Sequence, residues 1–229
     1  DCCGLTEDTN HYTTARDIAL MSRELVTRFP QVFDYTTIWM ENITHVTKQG
    51  TKEFGLTNTN KLLRSYEGCT GLKTGSTSIA KYCLSATANR NGIDLISVIM
   101  TAPDSKTRFS NAATLLNYGF GKCALYTDEN KDALPNIPVK RGVQEQAPCR
   151  YEGEFCYLDT EGADLSGIRK EIKMSEEIEA PIAKGDPVGA AEYYLNDKKI
   201  GSVKILADGE VEKAGFLDYL KKAFQEYLK

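Results

Sequence analysis

Three consecutive segments of this chain, residues 69 to 77, 80 to 90 and 93 to 101, alternate apolar and polar side chains with a period of two, and Asn91-Gly92 joins the last two. That period sends successive side chains to opposite faces of a sheet. Asn-Gly is the strongest short-range hairpin signal, because both residues accept positive φ. Three antiparallel strands in sequence are therefore expected. Pro103-Asp104-Ser105 then offers a cap for a helix over about 104 to 118. Phe109, Ala112, Leu115, Leu116 and Tyr118 would be its buried stripe, and Gly119 and Gly121 would end it. Upstream, Thr14 followed three residues later by Asp17 predicts a capped helix over about 14 to 28. Its apolar positions Ile18, Met21, Leu25 and Val26 recur at helical spacing until Phe29-Pro30 stops the run. Strands covered by helices make an α+β layer, not a doubly wound sheet.

Between these elements, residues 43 to 58 are rich in Thr and interrupted by Gly50 and Gly55, which suggests two short strands around a turn, and Asn60 to Tyr66 predicts one or two helical turns. Beyond Tyr126 the texture changes. Asp128 to Pro138 is polar with two prolines, and short β-type runs separated by Gly, Pro and Asp follow. A boundary is expected at about 124 to 135, and the second region reads as a small all-β sandwich. The closing stretch from Phe216 to Lys229 is an amphipathic helical pattern. The expected division is thus 1 to 124, 125 to 212 and 213 to 229.

Composition removes several function classes. A net charge of −4 with no basic cluster argues against nucleic acid as a partner. No apolar run is long enough to span a bilayer. The seven cysteines (2, 3, 69, 83, 123, 149 and 156) show no repeated Cys-x-x-Cys, so no metal site and no cofactor are expected. Their odd number prevents complete pairing within the chain. They are expected to be mostly buried or free thiols, with Cys149 and Cys156 as a candidate pair facing each other across a hairpin. The N-terminus lacks the basic, apolar and small-residue succession of a signal peptide, so the chain does not begin as a natural exported protein would. His11 is read as structural, and His45 has no motif around it.

The chemistry concentrates in Gly71-Leu72-Lys73-Thr74-Gly75, a Lys-Thr-Gly triplet on the first predicted strand. Facing a cleft, this triplet suits acyl transfer from a peptide. The Lys73 ammonium supplies positive potential and a proton relay, the Thr74 hydroxyl can bond a carboxylate, and Gly75 leaves room for an extended substrate. The backbone N–H of Ser76 would point where an oxyanion forms.

The context of the triplet resembles one family. The run from Cys2-Cys3-Gly4-Leu5 through His11 to Leu25, then Asn58-Thr59-Asn60-Lys61-Leu62-Leu63, the triplet itself, Ser85-Ala86-Thr87-Ala88 with Arg90 and Gly92, and Arg108-Phe109 leading to Leu115-Leu116-Asn117-Tyr118-Gly119-Phe120 are similar to the D-alanyl-D-alanine carboxypeptidases, the low-molecular-mass penicillin-binding proteins. The resemblance covers nearly all of residues 2 to 121. It implies a β-lactamase/transpeptidase-like domain in which Lys73 and Thr74 line the active site, the Ser76 amide forms half the oxyanion hole, and Arg108 helps fix the substrate's terminal carboxylate. It further implies a stem peptide ending in D-Ala-D-Ala as substrate, β-lactams as acylating ligands, and a place at the outer face of the cytoplasmic membrane. The second region resembles the β-rich domain that follows the peptidase domain in this family, and Phe216 to Lys229 resembles its membrane-surface anchor.

One departure bears on mechanism. The family's Ser-x-x-Lys nucleophile and Ser-x-Asn element precede the triplet, and neither precedes Lys73 here. Ser78-Ile79-Ala80-Lys81 has the spacing, but it follows the triplet on a predicted strand, whereas a nucleophile needs a helix start that sets Lys one turn from Ser. The chain by itself is therefore expected to be inactive, as the C-terminal part of such an enzyme, either a fragment or a cleavage product. The rival reading is a non-catalytic module that binds cell wall or a partner. A half-domain would also expose apolar faces, from which a dimer or swapped assembly is expected.

Overall fold

The computed structural model describes residues 10–228, which divide into two compact units, one ending at Cys123 and one beginning at Ala124. Cys2 and Cys3 lie outside the described residues.

In the first unit the elements run α1 (Ala15–Arg28), the single turn α2 (Phe33–Thr36), β1 (Met40–Thr47), β2 (Gly50–Thr57), the single turn α3 (Leu62–Ser65), β3 (Cys69–Thr77), β4 (Lys81–Arg90), β5 (Ile93–Ala102) and α4 (Ser105–Lys122). The three period-two segments form one antiparallel sheet in the order β3-β4-β5, with Asn91 and Gly92 at φ 51° and 79° in the tight turn. Alternation along β4 distributes its side chains between two helices. Leu84, Ala86 and Ala88 join Ala112 and Leu116 of α4 in the core, together with Leu62, Tyr66 and Ile99. Ser85, facing the other way, meets Ser22 of α1 with 2.8 Å between hydroxyl oxygens. The sheet is therefore covered by a helix on each face.

Both helices begin where their caps direct. In α1, Thr14 and Asp17 satisfy each other's backbone amides at 3.1 Å. In α4, the Asp104 carboxylate accepts from the Thr107 amide at 2.7 Å. Their buried faces differ from the sequence expectation. Met21 and Leu25 stand 59% and 38% exposed, and Ser22, flanked by half-buried Ile18, Ala19 and Val26, is the residue of α1 that meets the sheet. Leu115 and Tyr118 are likewise exposed, and the contact face of α4 runs through Arg108, Ala112 and Leu116. Gly119 and Gly121 do not end α4 but lie inside it. A Cβ on Gly119 would approach Leu95 Cδ1 to 2.6 Å, so the glycine's role is close approach to β5.

Strands β1 and β2 pair over eight registered positions, every one exposed, and form a longer ribbon than the two short strands expected.

The second unit contains β6 (Ala124–Asp128), β7 (Ile137–Lys140), β8 (Gln146–Ala147), β9 (Cys149–Tyr151), β10 (Phe155–Asp159), β11 (Arg169–Met174), β12 (Ile178–Glu179), β13 (Pro187–Leu195), β14 (Lys198–Ala207) and α5 (Phe216–Tyr227). The strands make three small sheets, β10-β6, β11-β13-β14-β9 and β12-β7-β8, around two apolar clusters centred on Ile137 and Ile205 and on Phe155 and Tyr193. Cys149 and Cys156 fall in different sheets, and all five described cysteines are free, which corrects the expected pairing. No helix among the described residues is long and apolar enough to cross a membrane.

Candidate active site

Strand β3 is the edge of its sheet, paired with β4 on one side. The triplet occupies its middle. Lys73 is exposed, and its Nζ donates to the Thr74 carbonyl. Thr74 is 7% exposed, and its hydroxyl meets that of Thr59 at 2.5 Å. Among the described residues no atom beyond its chain neighbours lies within 4 Å of where a Cβ on Gly75 would sit. Ser76 is exposed and stands opposite Tyr82 in the ladder.

Arg108 reaches this strand from the start of α4. Its Nη1 donates to the carbonyls of Gly75 (3.3 Å) and Cys83 (3.2 Å), two residues directly opposed in the β3–β4 ladder, and its Nη2 donates to Ser105 Oγ at 3.4 Å. The guanidinium lies between the rings of Tyr82 and Phe109, at 5.5 and 4.6 Å. The residue is only 6% exposed, and among the described residues its Nε has no hydrogen-bond partner. Burial pushes its pKa below the ordinary arginine value, with the neighbouring Cys83 and Tyr82 opposing that shift. Neither Lys73 nor Arg108 forms an ion pair with a described carboxylate. A buried cation whose donors are met only by carbonyls and a hydroxyl is electrostatically suited to an anion.

Lys73, Thr74 and Gly75 thus lie on one short stretch of edge strand, and Arg108 reaches that stretch at the Gly75 carbonyl. The Ser-x-x-Lys look-alike lies outside it. Ser78 lies in the turn after β3 and Lys81 opens β4 at φ 55°, so the pair spans a turn and a strand start and is not on a helix.

The frame behind the triplet was not assigned from sequence. Asn58 Nδ2 donates to the Thr36 and Ile38 carbonyls at 3.2 and 3.0 Å, and its Oδ1 accepts from the Asn60 amide at 2.9 Å. Asn60, 2% exposed, donates to the Gly71 carbonyl at 2.8 Å and accepts from the Leu62 amide at 3.2 Å. Thr36 Oγ1 donates to the Thr70 carbonyl at 2.7 Å. The signal available was the run Asn58-Thr59-Asn60 itself, three short polar side chains just before a buried leucine, a composition suited to side-chain bonds with nearby backbone.

Residues 1–104 match the family model for D-alanyl-D-alanine carboxypeptidase, and residues 129–213 match the model for the penicillin-binding protein 5 C-terminal domain. The D-alanyl-D-alanine carboxypeptidase DacF of Bacillus subtilis is 30% identical over 227 residues, which is 99% of this chain and 57% of that protein. DacC of Escherichia coli is 28% identical across 94% of this chain and 54% of its own length. Penicillin-binding protein 5 of Haemophilus influenzae superposes with a TM-score of 0.62 at 25% identity, covering 91% of this chain and 59% of that one. The chain therefore spans about half the length of the curated relatives it matches.

Proposed function

We propose, from the premise that this chain is like the low-molecular-mass serine penicillin-binding proteins, that it supplies one wall of a cleft in which the intact protein removes the terminal D-alanine from peptidoglycan stem peptides. The observation that carries this reading is Arg108, a buried guanidinium that among the described residues has no carboxylate partner and no partner for its Nε, beside Thr74 and Lys73 on a strand edge. In the reaction, a serine oxygen from the completing portion attacks the carbonyl carbon of the penultimate D-alanine, the C–N bond breaks, and D-alanine leaves with a proton. Water then hydrolyses the ester. Lys73 supplies positive potential and proton relay, the amide of Ser76 donates to the developing oxyanion, Gly75 leaves the substrate backbone room, and Thr74 with Arg108 holds the terminal carboxylate. β-Lactams carry a carboxylate and a strained amide that fit the same places.

The 229 residues hold no Ser-x-x-Lys ahead of Lys73, so acylation needs the completing portion. The test is kinetic, in the polypeptide extended upstream of Asp1 to the length of its relatives. A peptide ending in D-Ala-D-Ala is expected to be cleaved, and its C-terminal amide to be a much poorer substrate. Equal cleavage of both would remove the carboxylate from the account, and cleavage of neither would favour a binding module.

α5 leaves Phe216, Leu217, Leu220 and Phe224 exposed at helical spacing with Lys221 nearby, a face suited to lying on the outer surface of the cytoplasmic membrane. Leu20, Met21, Leu25 and Phe29 are exposed on and after α1, which supports self-association when nothing else covers them.

A further inference from the structure

We infer that Thr59 is a positioning residue of this cleft, orienting the Thr74 hydroxyl so that its proton points to the substrate carboxylate; the inference rests on the carboxylate reading of the site given above. The two hydroxyl oxygens are 2.5 Å apart, and this is the one side-chain hydrogen bond either residue makes among the described residues. A hydroxyl has one proton to donate and two lone pairs to accept with. Within a mutual pair, one proton is committed and one stays free. An anion beside Thr74 selects the arrangement in which Thr59 donates to Thr74 and Thr74 donates onward, and the first bond polarises the second.

The segment that carries Thr59 is held on both sides. Asn58 is tied to the carbonyls of Thr36 and Ile38, and Asn60 is buried against the Gly71 carbonyl at the start of the same strand that carries Thr74. Thr59 itself is exposed, so it stands at the mouth while Thr74 lies beneath. A donor fixed in this way needs no reorganisation when the charge arrives. A valine at 59 would keep the shape and remove the proton, leaving Thr74 free to turn away.

The experiment uses the polypeptide extended upstream of Asp1, comparing Thr59→Val and Thr59→Ser with the parent. Acylation rates are measured with benzylpenicillin and with its carboxylate methyl ester, and melting temperatures are recorded alongside. Thr59→Val is expected to slow acylation by benzylpenicillin roughly tenfold, the scale of one hydrogen bond to a charged group. The ester should change by less than about threefold, since its carboxylate charge is gone. Thr59→Ser should restore the parent rate. Parental rates for Thr59→Val with both ligands, or equal slowing of both, would overturn the inference. A parent that is not acylated at all would overturn the carboxylate reading beneath it, which is a different result.

Discussion

Arg108 places the strongest demand on any account of the site. An arginine 6% exposed, with one nitrogen unbonded and no ion-paired carboxylate among the described residues, costs folding free energy that a purely structural residue would not be expected to impose. The matching prediction is that Arg108→Ala in the extended polypeptide lowers kcat/KM for a D-Ala-D-Ala peptide by about a hundredfold, with Arg108→Lys recovering only part, because a lysine keeps charge without the fork. Steady-state kinetics would check it. Asn60 is the structural counterpart. Removing its side chain leaves the Gly71 carbonyl and the Leu62 amide without their partner, so Asn60→Ala should cost about 1–3 kcal/mol in denaturant unfolding. The Lys-Thr-Gly triplet stands out in the sequence by its residue types, whereas Arg108 is singled out by the family resemblance and not by any local pattern. Thr59 and Asn60 were not legible there, since a threonine or asparagine reads equally well as a turn residue, and its meaning depends on which distant carbonyl or hydroxyl it meets.

Among the elements, the three strands were legible almost to the residue. Two signals agreed there, a period of two and Asn-Gly at the turn. The faces of the helices were not. The heptad-like pattern of α1 suggested Met21 and Leu25 as inward, whereas Ser22 meets Ser85 and those two residues are exposed. A serine pair buried between helix and sheet has no hydrophobic signature, and the apolar residues Leu20, Met21 and Leu25 of α1 stand exposed. Likewise Gly119 looked like a stop and is a contact. At Gly68, just before β3, the demand is backbone: φ is +79° and a Cβ would stand 2.2 Å from the Asn89 carbonyl oxygen. Gly68→Ala should therefore destabilise the protein by at least about 2 kcal/mol, as read by its unfolding midpoint. In the second unit, burial would raise the Asp128 carboxyl, yet bonds from the Asn130 amide, Lys170 and Tyr193 hold it below its ordinary value. Lys173, Lys199 and Tyr194 hold Glu192 at about 2. Depressed carboxyls contribute stability above their unfolded pKa and lose it as pH falls through the folded one. Stability of this unit should therefore decline from about pH 4 downward, with Asp128→Asn flattening that decline in a circular-dichroism titration.

At the largest scale, a layered unit of helices and sheet is followed in the chain by a β-rich unit, whose helix α5 leaves Phe216, Leu217, Leu220 and Phe224 exposed. Leu220→Asp with Phe224→Asp should abolish binding of the chain to anionic phospholipid vesicles while leaving its melting temperature within a few degrees, and a sedimentation assay reads this directly. On the proposed reading, the first unit supplies the lysine, hydroxyls and guanidinium of an acyl-transfer cleft while the 229 residues hold no Ser-x-x-Lys ahead of them, and this division of labour is the central claim. Intact-mass spectrometry after incubation with a labelled penicillin tests it. The 229-residue chain should keep its mass, and the polypeptide extended upstream of Asp1 should gain one penicilloyl group on a serine within the extension. A penicilloyl adduct on the 229-residue chain itself, at Ser78 or elsewhere, or no adduct on the extended one, would contradict it.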